Sequence, residues 1–335
     1  MTTIKDIAEY TGVSATTVSN VIHGRKNRVS VETVERIQKA IDELGYVPNL
    51  FARSLVSSSS NVIALISYVP TQADSFFADE SFRLRFLSRI ENVLKQNGYY
   101  LMFRRVESVD ELKCFLRNWK MDGLFITGAA DAETAEALHG ITTPMVFIDS
   151  YASDRICDVG HDDYSGGRMA TEHLLEKGHE HIAFASSSVM DGRYMEQRYR
   201  GYLDALEAAG IQPDPGLVYE SGLDMDSCRV VAEKIKDRGD VTAVVATTDL
   251  MAAGLMAAFI DMGLRIPDDI SIVGYDDTPL GRMITPRLTT IRQDMDLKAD
   301  TAAQKMIEIL KGGHARGRIV LPVELVVRDS VKEAR

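Results

Sequence analysis

Cysteine is scarce in this 335-residue chain. The three present, Cys114, Cys157 and Cys228, lie far apart and form no CxxC pair. That excludes a disulfide framework or a cysteine-based metal site and fits a reducing compartment. No run of about 18 apolar residues occurs, so no membrane-spanning helix is expected. The N-terminal MTTIKDIAEY lacks the apolar segment of a signal peptide, and a cytoplasmic location is expected. Positive charge is also in short supply: 38 Lys and Arg face 49 Asp and Glu, for a net charge of -11. Catalytic signatures are missing as well. Gly166-Gly167 is not followed by the Lys-Ser/Thr of a phosphate loop, and there is neither a nucleophile elbow nor a Ser-His-Asp set at meaningful spacing. His161, Asp162 and Asp163 are consecutive and read as a turn rather than a metal cluster. No enzyme, metal or cofactor is expected.

What is present divides unevenly along the chain. The length allows two to four domains, and 45% hydrophobic with 26% charged residues is enough for proper cores and argues against a disordered chain. Residues 1–60 hold seven Lys/Arg and six Asp/Glu, a net of +1, which leaves -12 for the remainder. A near-neutral head on an acidic body points to nucleic acid touched only at one end. So weak an electrostatic anchor requires more than one copy of the chain.

The head reads as three short helices. In TIKDIAEYTGVSATTVSNVIHG, Ile4, Ile7, Ala8 and Thr11 share one helical face. Gly12 then permits a left-handed turn, Val13 plugs a small core and Ser14 caps the next helix. There Val18, Val21 and Ile22 face inward and leave small side chains outward, as a helix pressed into a major groove requires. Ala15, Thr16 and Asn20 are the candidates for base contacts. Thr17 and Ser19 suit phosphates or capping, and His23, Arg25, Lys26 and Arg28 form a basic loop. Ser30 caps a third helix whose inner face is Val34, Ile37, Ile41 and Leu44. Beyond it, Pro48 opens about two helical turns that are marginal alone. Leu55 there is a candidate minor-groove wedge, with Asn49 and Arg53 beside it on the backbone. A plain linker is the competing reading.

After Asn61 strands alternate with helices, twice over. The first series comprises strands 62–67, 99–103, 122–127 and 144–149 with helices 84–97, 109–118 and 131–138. The second comprises strands 181–186, 216–219, 241–247 and 270–275 with helices 164–177, 194–209, 225–237 and 249–262. LTTIRQD, a helix 294–310 and two short late segments remain. The fold class is α/β: two parallel-sheet lobes joined by several crossovers, with a ligand cleft outside the carboxyl ends of the strands. The polar residues at those ends include Thr127, Asp149, Ser186, Thr247, Thr248, Asp249, Asp276 and Asp277. Asp149, Arg198 and Asp276 together suit the gripping of hydroxyls. Phe76, Phe77 and Phe82 either line a pocket or simply pack.

These residues carry a family likeness over nearly the whole chain. TIKDIAEYTGVSATTVSNVIHG, RVSVETVERIQKAIDELGYVPNLFARSL, NVIALI, DGLFITG, QRYRGYLDAL, DISIVGYDDTPL and PRLTTIRQD resemble the LacI/GalR family of bacterial transcriptional regulators. The resemblance implies a helix-turn-helix headpiece, a hinge helix and a two-lobed core like that of periplasmic sugar-binding proteins. It also implies a homodimer on a near-palindromic operator. It places Ala15, Thr16 and Asn20 in the major groove and Leu55 in the minor groove. It places Asp149, Arg198 and Asp276 around a small polar effector, first a sugar or sugar derivative, with a phosphorylated sugar or another small polar metabolite as the alternatives. Most relatives carry Arg where this chain has Asn20. Thr248 stands where the family usually has Asn, and Leu223 aligns with an aromatic that stacks on sugar rings. The implied layout is a headpiece over 1–47, a hinge helix and linker over 48–60, a first lobe over 61–161 plus 288–320, and a second lobe over 162–287 plus 321–335. The rival readings are a sugar-processing enzyme and a cytoplasmic sugar-binding module without a DNA-binding role.

The wedge reading makes one prediction. Leu55→Ala weakens specific operator binding far more than binding to random DNA in a titration at fixed salt. Equal losses on both would remove Leu55 from that role.

Overall fold

A computed structural model describes residues 2–22, 24, 29–46, 59–68, 80–128, 134, 138, 140–151, 156–187, 189 and 194–334. Residues 80–83 are described in backbone only. The expected hinge helix and most of the expected helix 131–138 lie outside these residues. The described residues form two units, Met1–Ser60 and Asn61–Arg335.

The first unit is built from α1 (Ile4–Thr11), α2 (Ala15–Ile22) and α3 (Val31–Glu43). Thr3 and Asp6 close α1 with a reciprocal capping box, and Gly12 ends it at φ 65°, a conformation that a side chain disfavours. The Ser14 hydroxyl accepts the Thr17 amide at 3.1 Å and so caps α2. Ser30 does the same for α3 through Thr33. Ile7, Ala8, Val18, Val21, Ile37 and Ala40 close a miniature core.

The second unit contains two six-stranded sheets of the same winding. β1 (Val62–Tyr68), β2 (Tyr100–Val106), β3 (Gly123–Thr127), β4 (Met145–Ile148), β5 (Cys157–His161) and β11 (Gly317–Leu321) make the first, in the order β11-β5-β4-β3-β1-β2. β6 (Ile182–Ser186), β7 (Val218–Glu220), β8 (Ala243–Ala246), β9 (Ser271–Asp276), β10 (Thr289–Gln293) and β12 (Val323–Val326) make the second, in the order β12-β10-β9-β8-β6-β7. All pairings are parallel except β10 with β12. α4 (Glu80–Gln96), α5 (Val109–Asn118) and α11 (Met295–Leu310) belong to the first lobe. α6 (Asp163–Glu176), α7 (Tyr194–Ala208), α8 (Met225–Arg238), α9 (Asp249–Asp261) and the short α10 (Pro279–Met283) belong to the second. The central strands β1, β3, β4, β6, β8 and β9 are near-continuous apolar runs buried on both faces, as is usual in parallel sheets, while β2, β7, β11 and β12 at the edges are partly exposed.

The chain passes between lobes at Asp162, Asp294 and Pro322, each next to a strand end. Asp162 caps α6 and Asp294 caps α11. The Asp162 amide donates to Leu321 O at 2.9 Å, tying the first crossover to the third.

Three sequence expectations change here. Segment 288–293 does not belong to the first lobe. β10 runs parallel to β9, and Leu288 and Ile291 enter second-lobe cores, which moves the boundary to Asp294. Leu321, expected in the second lobe, pairs with His161 in the first sheet. β5 was not expected at all. CDVGH has two apolar residues, yet every one of its residues is buried, because Asp158 and His161 point into polar surroundings at the strand ends.

Helices α6 and α7 pack so closely that a Cβ on Gly167 would lie 2.1 Å from Arg198 O, and one on Gly201 2.2 Å from Tyr164 O. Asp249, fully buried, ties the second lobe together. It accepts the Thr278 amide at 2.6 Å and the Thr290 hydroxyl at 2.5 Å. Burial drives its carboxyl up to about 7 against those hydrogen bonds.

Two predictions follow from this packing. Gly201→Ala destabilises the core by roughly 1–3 kcal/mol or more, read by urea denaturation. For Asp249, the folded chain holds a proton that the unfolded chain releases near the ordinary carboxyl value, so stability falls as pH rises from about 4 to about 7. Asp249→Asn removes that slope; an unchanged slope would contradict the assignment.

Candidate functional site

Two regions concern function, and each is described within its own unit. On the headpiece, Ala15 and Thr16 are exposed on α2, and Thr17 and Asn20 are half-buried. Thr17 Oγ1 lies 2.8 Å from Ser14 Oγ, so it takes part in the cap. His23, Arg28, Asn49, Arg53 and Leu55 lie outside the described residues, as does Phe77.

In the core, the winding of each sheet leaves a crevice beside its first strand. Ser67, one residue before the end of β1, and Thr127, the last of β3, lie in register with each other beside the first-lobe crevice. Both hydroxyls are buried without a hydrogen-bond partner. In the second lobe, Thr247 follows β8 beside β6, and its hydroxyl is likewise buried and unpartnered. So is Asp149 Oδ1, beyond β4; the buried His161 ring, at the end of β5, lies against the Gln293 side chain and the Asp294 backbone. Burial, Lys298 and Arg198 hold the His161 ring well below its usual pKa, hence neutral. The resulting set is a group of hydroxyl and carboxylate atoms with unused hydrogen-bonding capacity at the strand ends of both lobes.

Charged groups hold this set in place. Asp149 sits at φ 51° and Asp276 at φ 111°, two non-glycine residues at matching strand ends in strained conformations of the kind that gather at functional sites. The turn after β4 is anchored by Asp158, which sequence patterning misses. Its carboxylate accepts the Ser150 and Tyr151 amides at 3.2 and 3.1 Å. Asp149 Oδ2 accepts from Lys298 Nζ at 2.6 Å. Asp276 Oδ1 accepts from Gln293 at 2.6 Å.

Arg198 is buried and fully engaged. Its Nε donates to Asp163 Oδ1 at 2.9 Å and its Nη1 to Thr247 O at 2.6 Å. Its guanidinium lies 3.5 Å from the Tyr275 ring centre. Burial opposes its charge, but Asp163 and Tyr275 outweigh that and raise its pKa. Asp163, which reads as a turn residue in the sequence, is therefore central. Tyr151 from the first lobe donates to its other oxygen at 2.5 Å, and burial pushes its carboxyl upward against the pull of Arg198.

The expected residues thus divide. Thr127 and Asp149 offer unpartnered atoms. Arg198, on α7, and Asp276, at the end of β9, already have chain partners. Thr248 caps α9 through the Met251 amide at 3.1 Å. Leu223 packs half-buried against the core under α8 and α9, apart from the polar set. Ser67, His161, Asp163, Gln293 and Lys298 are additions. Lys298 had a signal: it interrupts the buried stripe Met295, Ala299, Ala302, Ala303 and Met306 of α11.

The described core also has a cavity of about 700 Å³ beside the β10–α11 crossover, bordered by Asp276, Arg282, Arg292, Gln293, Met295 and Arg85, among others. Among the described residues no His, Cys, Asp and Glu cluster is arranged to hold a metal. No described helix is long and apolar enough to cross a membrane.

Comparison with known proteins finds matches to both units. Residues 3–49 match the family of bacterial regulatory proteins, lacI family, and residues 171–331 match the periplasmic binding protein-like domain. The ribose operon repressor of Halalkalibacterium halodurans is 33% identical, covering 99% of this chain and 98% of the relative. The HTH-type transcriptional repressor PurR of Aliivibrio salmonicida is 32% identical, covering 99% of each. Among solved structures, the lac repressor dimer bound to operator and the anti-inducer ONPF superposes with a TM-score of 0.85 at 29% identity, over 99% of both chains. These relatives are repressors, not enzymes, and the chain belongs to the LacI family of bacterial DNA-binding regulators.

Proposed function

We propose that this repressor binds a near-palindromic operator as a homodimer, and that a carbohydrate or carbohydrate derivative held at the strand ends between its lobes sets its operator affinity. The observation that carries the ligand reading is the set of four buried, unpartnered side-chain atoms there: Ser67 Oγ, Thr127 Oγ1, Asp149 Oδ1 and Thr247 Oγ1. Buried polar atoms are ordinarily paired, and a ring of hydroxyl groups supplies both donors and acceptors to such a set. The carbohydrate reading also draws on neighbours: a transcriptional regulator CelR–cellobiose complex at 28% identity with a TM-score of 0.74, and the lac repressor bound to ONPG at 30% with a TM-score of 0.84. The dimer draws on the lac repressor dimer.

In this reading Ala15, Thr16 and Asn20 meet base edges, with Thr17 and the basic loop, His23 and Arg28 included, on the backbone. Asn49, Arg53 and Leu55 act at the operator centre. Asp149, Thr127, Thr247 and Asp276 meet the ligand, and Arg198 and Asp163 hold the second-lobe wall. Phe77, Thr248 and Leu223 carry no separate role in it. A ligand that prefers one relative position of the lobes shifts the operator-binding equilibrium by its differential affinity.

The test is operator binding at fixed salt with a panel of sugars and sugar derivatives. One compound changes the affinity; a complete lack of response would reject the ligand reading. Thr127→Val and Thr247→Val sharpen it. Each replaces an unpaired hydroxyl by a methyl, so thermal stability holds or rises, while the response weakens roughly 5- to 10-fold for one lost hydrogen bond. A stability loss with an unchanged response would make these hydroxyls structural. Asn20→Ala weakens specific binding and changes base preference at one operator position, read by a single-substitution operator series.

A further inference from the structure

At the strand ends the chain supplies its own counter-charges. Lys298 is buried on the inward stripe of α11, and its Nζ lies 2.6 Å from Asp149 Oδ2. The other oxygen of that carboxylate, Oδ1, is buried and accepts nothing. Arg198 is likewise committed, to Asp163 at 2.9 Å and to Thr247 O at 2.6 Å. Each of these two buried cations therefore already faces a carboxylate of the chain. An anionic ligand group could use one of them only by separating a buried ion pair, which leaves an uncompensated charge in a poorly solvated site. A neutral hydroxyl need only donate to Oδ1, and the pair stays intact.

We propose that Lys298 is a specificity-determining residue of the cleft. It neutralises Asp149 from one side, fixes the carboxylate so that Oδ1 is the acceptor offered to a ligand O–H, and restricts the site to uncharged polyhydroxy compounds. Sugar phosphates and sugar acids are excluded. This rests on the reading that the ligand binds at these strand ends.

The test uses inorganic phosphate and acetate as probes, each against sodium chloride at equal ionic strength. Thermal denaturation and calorimetry are run on the full chain and on Asp149→Asn, Lys298→Met and the double variant. The unsubstituted protein shows no saturable anion binding beyond that of Lys298→Met. Asp149→Asn keeps the side-chain shape but leaves the ammonium without its carboxylate, and it gains saturable anion binding that the double variant lacks. Asp149→Ser offers a second route to the same ammonium if the asparagine variant does not fold.

Saturable binding by the unsubstituted protein that disappears in Lys298→Met would overturn the proposal. So would Asp149→Asn responding no more than the double variant. Failure of the underlying ligand reading looks different. Neutral sugars would then leave operator affinity unchanged, while the anion results came out as described.

Discussion

The Asp163 carboxylate is the joint on which the core depends. Arg198 of the second lobe holds one of its oxygens at 2.9 Å, and Tyr151 of the first lobe holds the other at 2.5 Å. Each side of that joint has a sequence cause. Arg198 reaches it because Gly167 and Gly201 let α6 and α7 approach until backbone meets backbone. Tyr151 reaches it because Asp158 fixes the turn after β4 through two amides. The Tyr151–Asp163 bond thus joins a first-lobe turn to a second-lobe helix, and in the proposed reading a change in the angle between lobes acts on it. A buried polar network of this kind favours discrete arrangements over continuous bending, because partial satisfaction is costly.

The crossovers extend that logic. Gln293, the last residue before Asp294, holds Asp276 of the second lobe. Lys298, one turn after it, holds Asp149 of the first. Both strained strand-end carboxylates are therefore handled from one short segment, the link between β10 and α11. In the proposed reading, a ligand that meets Asp149 and Asp276 acts on the same segment. That gives a physical route from cleft to lobe angle that needs no long pathway.

Much of this was legible in the sequence, and the misses are instructive. The headpiece could be read because capping residues and apolar spacing agree at every step: Thr3, Gly12, Ser14 and Ser30 punctuate helices whose inner faces are Ile7, Val18 and Ile37. The paired sheets could be read because buried parallel strands are almost wholly apolar. β5 escaped because Asp158, Gly160 and His161 hide a strand behind polar letters. β10 was placed in the wrong lobe because LTTIRQD names a strand but not its neighbour; strand pairing is a long-range property. Arg198 and Asp149 are ligand residues in the sequence reading both by their chemistry at the strand ends and by the family resemblance. The sequence could not reveal that Asp163 and Lys298 already engage them. Lys298 was nonetheless visible as a charge on an apolar stripe, the kind of local conflict that marks a functional position.

The central claim is that occupancy of the cleft and of the operator are linked. The direct measurement is a calorimetric titration of the responsive sugar into the protein, free and saturated with operator, at one salt concentration. Linkage requires the ratio of the two sugar affinities to equal the ratio of operator affinities with and without sugar. The account predicts that equality, with both ratios moving toward one when Thr127 and Thr247 are replaced by valine. A sugar that binds free and operator-bound protein equally well would contradict it.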